Sequence, residues 1–389
     1  MERRDVVIVG SGPAGAATAL GLAARAPELA ARSVLLEKAR HPRDKTCAGG
    51  VIPKGVRLLE SLEIPLEIPQ ARVDRAGVTL PGGARLAIDC DDLCRVVRRR
   101  ELDALLAWTA HDRGVELREE EHVTHVARDG AGVRVETSRR TYWTPVVVGA
   151  DGSGSLVRRA LVGASGVTAR AVMWDVPVGA TSWTGYAARR YDFDFSACET
   201  GLRGYRWAFP CVVDGVPHVN VGVYALPPVD GTRLRSELAV ELGLFGAAAT
   251  GWQAFPIHAY VGPPRLAAPH AVLVGDAAGV DPLMGEGISF ALEYGLLAAE
   301  AVCDAHATGD WSFRGYARAV ERGPLGRKLR RLSLATRLFY GRRHRLWFRL
   351  AAASRRAQTI GLAWYNGVDG WDRRSAFAAL AALGMRRSL

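Results

Sequence analysis

A glycine-rich stretch near the N-terminus has the residue types and spacing of a dinucleotide-binding turn. Its members are Gly10, Ser11, Gly12, Pro13, Ala14 and Gly15. The stretch follows a predicted strand at residues 5–9 and opens an Ala-rich predicted helix, so backbone N–H groups can face a pyrophosphate. Glu37 ends the second predicted strand, 22 residues after Gly15, where a carboxylate accepts hydrogen bonds from ribose hydroxyls. The pattern predicts a dinucleotide site and leaves FAD and NAD open.

Two later stretches narrow the choice of cofactor. One runs from residue 148 to 153 and includes Asp151, and the other runs from Gly275 to residue 279 and includes Asp276. With the first stretch they resemble the three FAD-binding motifs of the flavoprotein group that includes p-hydroxybenzoate hydroxylase. A carboxylate at Asp276 can accept hydrogen bonds from a ribityl chain, and a helix that begins near Gly285 offers N–H groups to the flavin ring. The resemblance implies FAD.

A finer resemblance is to the geranylgeranyl reductase family within that group. Residues 42–50 resemble its P-R-D-K-x-C-x-G-G stretch, residues 100–103 its R-x-x-[FL]-D, and residues 204–210 its G-Y-x-W-x-F-P. Asn220-Val221-Gly222 and residues 281–295 follow as the family's later motifs do. The match covers about residues 5–300 in the correct order.

The resemblance implies a set of FAD contacts and a reaction. Besides the glycine-rich stretch, the predicted contacts are Glu37, Lys38, Arg43, Cys47, Ala48, Gly50, Arg100, Val123, Asp151, Gly275, Asp276, Gly285, Gly287 and Ile288. In the family a reduced flavin delivers hydride to an isolated C=C bond of a prenyl chain. The predicted substrate is therefore an isoprenoid of geranylgeranyl type or a similarly apolar small molecule. No second G-x-G-x-x-G follows a strand, so NADPH binds transiently or another external reductant acts.

Three residues are candidates for catalytic or pocket roles. Cys47 would lie close to the flavin, where it could tune the flavin or relay a proton, or else pack as a small buried residue. Tyr205 and Trp207 alternate on a predicted strand and so share one face, with Phe209 pointing the same way. They predict a pocket wall over the flavin. No metal site is expected, because the six cysteines form no C-x-x-C pair.

Other reactions of the same flavoprotein group remain as alternatives. Aromatic hydroxylases commonly have His and Asn where this chain has Gly279 and Ser289. Halogenases have a W-x-W-x-I-P motif and a pocket lysine, but Lys45 belongs to the P-R-D-K stretch, so halogenation has little support. The alternatives kept are a flavin-dependent monooxygenase or dehydrogenase of a specialised biosynthetic pathway, with a carrier-bound substrate, and an escort module that binds prenylated partners without turnover.

The elements around these motifs predict an α/β fold. A Rossmann-like FAD-binding domain spans residues 1–165 and 265–310, and an antiparallel-sheet substrate domain is inserted at 166–264 with part of 65–95. Residues 311–389 form a helical basic C-terminal region. Residues 52–62 and 93–112 are predicted to be helical, with Trp108 on the same face as the helix's leucines, and 72–88 a β-hairpin.

The charge of the chain is concentrated in one segment. The 389 residues carry a net charge of +11, yet residues 314–356 alone hold fourteen Arg or Lys and one acid, Glu321. Arginines alternate with aromatic residues at 337–349, which favours an anionic membrane surface, an acidic carrier protein or a diphosphate headgroup over nucleic acid. A plain solvated helix face is equally compatible.

The apolar segments bear on where the protein resides. No apolar window reaches the ~18 residues that a membrane span needs. The first apolar run, at residues 6–9, is too short for the core of a signal peptide. The expectation is a cytoplasmic protein, with peripheral membrane association left open.

Overall fold

A computed structural model describes residues 1–163, 166–248, 250–262 and 265–353. The strands in these ranges are Glu2–Arg3 (β1), Val6–Val9 (β2), Ser33–Leu36 (β3), Gly50–Val51 (β4), Gln70–Thr79 (β5), Arg85–Val97 (β6), Glu116–Arg118 (β7), Val123–Asp129 (β8), Gly132–Thr137 (β9), Thr141–Thr144 (β10), Val147–Gly149 (β11), Val167–Pro177 (β12), Arg190–Asp194 (β13), Gly204–Val213 (β14), Val216–Ala225 (β15), Gln253–Ala259 (β16), Ala267–Ala268 (β17) and Ala271–Leu273 (β18). The helices are Pro13–Arg25 (α1), Pro27–Ala31 (α2), Pro53–Ser61 (α3), Arg99–Asp112 (α4), Gly231–Leu244 (α5), Ile288–Thr308 (α6), Arg314–Arg322 (α7), Pro324–Phe339 (α8) and His344–Ala353 (α9).

A six-stranded sheet in the order β17-β18-β11-β2-β3-β7 forms the Rossmann-like part. Strands β18, β11, β2, β3 and β7 pair in parallel, and β2 is buried along its whole length, as expected of an apolar strand covered on both faces. Helices α1 and α6 pack closely, since a Cβ added at Gly295 would lie 2.5 Å from the carbonyl oxygen of Ala14. The packing brings the N-terminal ends of both helices to one cavity. The predicted α/β fold class is confirmed.

An eight-stranded sheet in the order β16-β12-β15-β14-β13-β5-β6-β4 forms the second layer. Its strands pair antiparallel except where β13 runs parallel to β5. Alternate residues of β14 face opposite sides: Tyr205, Trp207 and Phe209 line the cavity, whereas Arg206 pairs with acids that include Glu237 and Glu241 of α5. The sheet thus presents an aromatic face to the cavity.

The structure corrects one predicted helix. Residues 93–97 belong to β6, and α4 begins only at Arg99, because a short apolar run does not distinguish strand from helix. Trp108 is 44% exposed, so it does not share the buried face with Leu102 and Leu106. The predicted hairpin exists as β5 and β6, and α5 is a helix that the sequence did not predict.

The remaining elements are a four-stranded sheet and the basic helices. The sheet has the order β1-β10-β9-β8. Helices α7, α8 and α9 follow α6, as the sequence predicts for the region after residue 311. The part of that region at 354–389 lies outside the described residues. Within the described chain, none of the helices combines the length and apolarity required to cross a membrane.

Candidate active site

A cavity of about 1020 Å³ is lined by residues of both large sheets and of the loops that follow β2, β3 and β11. Charged side chains that include Glu37, Arg43 and Arg99 belong to one ion-paired part of the lining, and the aromatic face of the eight-stranded sheet forms another part. We refer to these as the charged end and the apolar wall.

The glycine-rich stretch divides between the cavity and the structure behind it. Gly10, Gly12, Pro13 and Ala14 line the cavity. A Cβ at Gly15 would lie 1.9 Å from the carbonyl oxygen of Gly10, so Gly15 permits the tight turn but is not among the lining residues. The Ser11 hydroxyl donates to Glu37 at 2.7 Å. No side chain in the described ranges caps α1, so the N–H groups at its first turn are available to a phosphate.

Glu37 lies at the charged end with its carboxylate already ordered. It accepts hydrogen bonds from Ser11 Oγ, from the Ala39 amide at 3.1 Å and from Arg43 at 3.0 Å. Burial alone would raise the pKa of Glu37, but the Arg43 guanidinium and these hydrogen bonds hold it below its usual value. The ionised carboxylate suits a pair of ribose hydroxyls.

A buried ion cluster corrects one of the predicted contacts. Asp103 is fully buried and pairs with Arg99 at 2.6 and 2.9 Å and with Arg43 at 3.0 Å. Arg99 lines the cavity and Arg100 does not. Counting back from Asp103, the first residue of R-x-x-L-D is Arg99, so the predicted contact at Arg100 was displaced by one position.

The loop that follows β3 brings Lys38, Cys47, Ala48 and Gly50 to the cavity, as does Val123 from β8. Cys47 Sγ accepts a hydrogen bond from the Gly49 amide at 3.3 Å.

Lys45, on the same loop, was not predicted as a site residue. Its Nζ atom lies 3.2 Å from the ring centroid of Phe255 in β16, and burial lowers its pKa to about 8. The only sequence signal for it was its place in the P-R-D-K stretch.

The two aspartates of the later motifs have different surroundings. Asp151 lines the cavity, but its carboxylate accepts from Ser155 Oγ at 2.5 Å and from the Leu156 amide at 2.6 Å, so it stabilises its own turn. Asp276 accepts from Ser153 Oγ at 2.8 Å and faces the cavity. Gly275 has a φ of +58° and shapes the turn without lining the cavity.

The N-terminus of α6 completes the polar lining. Gly285, Gly287 and Ile288 line the cavity, and a Cβ at Gly287 would lie 3.5 Å from Asp276 Oδ1. Glu286 lies just before α6, and its carboxylate accepts hydrogen bonds from the Ser289 amide at 2.8 Å and from the Ser289 hydroxyl at 2.7 Å. It therefore caps the first turn of this helix.

The apolar wall comes from five strands of the eight-stranded sheet. Its members are Ala171, Met173, Phe193, Tyr205, Trp207, Phe209, Tyr224, Phe255, Pro256 and Ile257. The rings of Tyr205 and Trp207 are 6.0 Å apart at their centroids, and Trp207 Nε1 donates to Asn220 at 2.7 Å. The indole N–H of Trp207 is therefore satisfied by a residue that does not line the cavity.

The donor set suits FAD. The cavity lining includes two helix N-termini, an ionised acid and a second carboxylate, which are the groups that can bind a pyrophosphate, a flavin ring, ribose hydroxyls and a ribityl chain. The glycines have no side chains, so they leave room for the pyrophosphate of the cofactor to approach the main chain.

Comparisons with known proteins agree with this cofactor. The family described as FAD binding domain matches residues 3–189. Menaquinone reductase from Mycolicibacterium smegmatis is 32% identical over 332 residues, covering 77% of this chain and 76% of that protein. The chloroplastic geranylgeranyl diphosphate reductase of Oryza sativa subsp. japonica is 30% identical over 336 residues, covering 79% and 68%.

Solved structures share the fold. A geranylgeranyl bacteriochlorophyll reductase-like protein from Thermoplasma acidophilum superposes with a TM-score of 0.77 at 20% identity, covering 93% of this chain and 96% of that one. A flavin-dependent brominase superposes with a TM-score of 0.75 at 18% identity, covering 99% and 100%. At these identities the likeness establishes the architecture alone.

Proposed function

Because the chain belongs to the geranylgeranyl reductase family of FAD-dependent oxidoreductases, we propose that it reduces C=C bonds of an isoprenoid or a similarly apolar substrate. The observation that carries this proposal is the apolar wall, which has ten residues, all uncharged. An isoprenoid chain has no polar group to match, so it gains free energy from burial against such a surface.

The position of the wall relative to the polar lining supports a hydride transfer. When FAD is bound and reduced, its ring supplies a hydride. Gly287 and Ile288 offer backbone N–H groups in the part of the cavity that also contains Tyr205 and Trp207. The aromatic side chains exclude water and orient an extended chain, and N–H groups favour negative charge on the reduced ring.

Cys47 is our candidate for the group that passes a proton to the substrate. It lines the cavity on the loop that also carries Lys45. A Cys47→Ser variant keeps a proton donor of similar size, and Cys47→Ala removes it. If the role is proton transfer, turnover falls about 100-fold in Cys47→Ala and recovers partly in Cys47→Ser, with the flavin spectrum unchanged in both. Equal turnover in all three proteins would assign Cys47 to packing.

NADPH or another external reductant is the proposed source of electrons. The direct test incubates the FAD-loaded protein with NADPH and, separately, with dithionite, and adds a prenylated quinone or geranylgeranyl diphosphate. The proposal expects product mass to rise by two hydrogens for each reduced bond. If reduced product forms with dithionite but not with NADPH, the proposed reaction stands and a different donor supplies the electrons. No reduced product with any prenyl compound would contradict the function.

The basic helices α8 and α9 suggest a surface at which the protein encounters its substrate. Arg337, Arg342, Arg343 and Arg349 are exposed on α8, α9 and the turn between them, and Leu346 is 47% exposed beside them. We propose that this face binds an anionic membrane surface, because guanidinium groups pair with phosphates while a leucine enters the interface. Binding to an acidic carrier protein, and not to anionic vesicles, would overturn the membrane proposal.

A further inference from the structure

Residues 281–287, here called the α6 loop, precede α6 and carry Gly285 and Gly287 to the cavity. Three tyrosine hydroxyls donate to three successive carbonyl oxygens of this loop. Tyr224 donates to Pro282 at 3.0 Å, Tyr340 donates to Leu283 at 2.7 Å, and Tyr205 donates to Met284. The loop is thus held by tyrosines along its whole first half.

Asp281 holds the same loop from within. Its carboxylate accepts from the Leu283 amide at 2.7 Å and from the Met284 amide at 3.2 Å, and its carbonyl oxygen accepts from the Gly285 amide at 3.2 Å. The amides of Leu283, Met284 and Gly285 and the carbonyl oxygens of residues 281–284 therefore all have partners. A loop with this many bonds has one preferred geometry, which is what a preorganised set of N–H groups needs.

The three tyrosines come from different parts of the fold. Tyr205 and Tyr224 belong to β14 and β15 and line the cavity, whereas Tyr340 follows α8 and is not among the lining residues. Tyr340 is only 7% exposed, and burial raises its pKa, so its hydroxyl remains protonated and donates. Phe339 beside it packs against Phe348 of α9 with ring centroids 5.0 Å apart. The basic C-terminal helices reach the α6 loop through this residue.

We propose that Tyr340 is a positioning residue for FAD, which fixes the Leu283 carbonyl so that the N–H groups of Gly287 and Ile288, at the end of the α6 loop, meet the flavin ring in one geometry. The C-terminal helices then belong to the flavin site although they do not line the cavity. The inference concerns the cofactor and holds whichever substrate the protein reduces, so it goes beyond the proposed function.

Tyr340→Phe tests the inference because it keeps the ring and removes the donor. Loss of one hydrogen bond on the loop corresponds to about a fivefold weaker affinity for FAD. The midpoint potential of the bound flavin becomes more negative, since looser N–H groups stabilise the reduced ring less. Hydrogen exchange at Gly285 and Gly287 in the FAD-loaded protein becomes faster.

Tyr316→Phe is the matched control. Tyr316 is buried in α7, and its hydroxyl donates at 2.7 Å to the carbonyl oxygen of Leu273, outside the α6 loop. It should lower thermal stability as Tyr340→Phe does and leave the flavin potential unchanged. An unchanged potential and unchanged exchange in Tyr340→Phe, or an equal shift in Tyr316→Phe, would overturn the inference.

A measurement on the unaltered protein covers the case in which Tyr340→Phe does not fold. Coupling between two sites is reciprocal, so FAD binding must also stabilise the surroundings of Tyr340. Hydrogen exchange with and without FAD should show protection at residues 336–341 together with the α6 loop. Protection of the α6 loop alone would contradict the role of Tyr340.

Discussion

Two buried acids, one at the charged end of the cavity and one behind the apolar wall, have pKa values that are shifted in opposite directions. At the charged end, Glu37 is almost fully buried, yet Arg43 and hydrogen bonds lower its pKa. Behind the apolar wall, Asp281 is also buried, and burial raises its pKa to about 7 in spite of two backbone amides. The charged end stabilises ionised groups, as a dinucleotide requires, whereas the surroundings of the apolar wall disfavour them, which agrees with the hydrocarbon chain that we propose as substrate.

The largest expected effect comes from Asp103→Ala at the charged end. The change leaves the guanidinium groups of Arg43 and Arg99 without their shared carboxylate in a buried place, which costs about 3–5 kcal/mol. FAD affinity should fall by more than 100-fold, and the melting temperature should drop. Isothermal titration of the apo-protein with FAD measures the first, and calorimetry measures the second. Retained affinity would mean that the ion cluster does not organise the cofactor site.

Trp207→Ala tests the apolar wall separately. It opens space where we propose that the substrate is held but leaves the glycine-rich stretch and Asp276 in place, so FAD should stay bound with its normal spectrum. Turnover should fall about 100-fold because the substrate is no longer aligned. The comparison with Asp103→Ala is the control, since one variant should lose the cofactor and the other only the reaction. Loss of flavin from Trp207→Ala would show that the two ends are not separable.

The raised pKa of Asp281 should make the stability of the protein depend on pH, and we expect this effect to be smaller than those of the two preceding variants. Asp281 binds its proton more tightly in the folded protein, with a pKa of about 7 against 3.8 for an ordinary aspartate. Between about pH 4 and 7 the folded state therefore carries more protons than the unfolded state, so this group's contribution to stability is lost as the pH rises. Urea unfolding across this range should show that the unaltered protein loses stability relative to Asp281→Asn.

Glu241 serves as the matched control for that measurement. Burial raises its pKa to about 7 as well, but it lies beside Arg206 on the other face of β14. Glu241→Gln should alter the pH dependence in the same direction without affecting the bound flavin. A pH profile that is identical in the unaltered protein and in Asp281→Asn would show that Asp281 is ionised throughout.

The smallest effect is expected on the basic surface. Arg337→Glu and Arg342→Glu should each weaken binding to anionic vesicles about fivefold or somewhat more, since a cation near such a surface contributes about 1 kcal/mol. Arg345→Glu is a less suitable probe, because Arg345 pairs with Glu199. Vesicle sedimentation at low and physiological salt measures the change. Equal binding of all variants would exclude these residues from the membrane contact.

The sequence predicted the charged end better than the apolar one. Short motifs specify the turns at Gly10, Gly12 and Asp276, because helix N-termini and tight turns depend on residues close together in the chain. The cavity lining departs from the prediction at Arg100, where Arg99 is the arginine of the motif, and at Gly15 and Gly275, which shape turns behind the lining. The face shared by Tyr205 and Trp207 followed from the alternation of a strand.

The parts that were missed depend on distant pairings. Lys45 meets Phe255 only because the loop after β3 lies against β16, and Tyr340 reaches Leu283 only because α8 ends at the α6 loop. Neither residue belongs to a local pattern that indicates its partner. The helix predicted to start at residue 93 failed for a related reason, since sheet pairing with β5 decides that β6 continues to Val97.

We propose that the reduced flavin of this protein passes its hydride to a carbon–carbon double bond. The most direct test reduces the FAD-loaded protein under argon, removes excess reductant, adds a prenylated substrate and follows flavin absorbance. We expect reoxidation of the flavin without oxygen, at a rate that Trp207→Ala slows, together with a product that has gained two hydrogens. Reoxidation only when air is admitted, with no reduced prenyl product, would contradict it and place the chain among flavoproteins that react with oxygen.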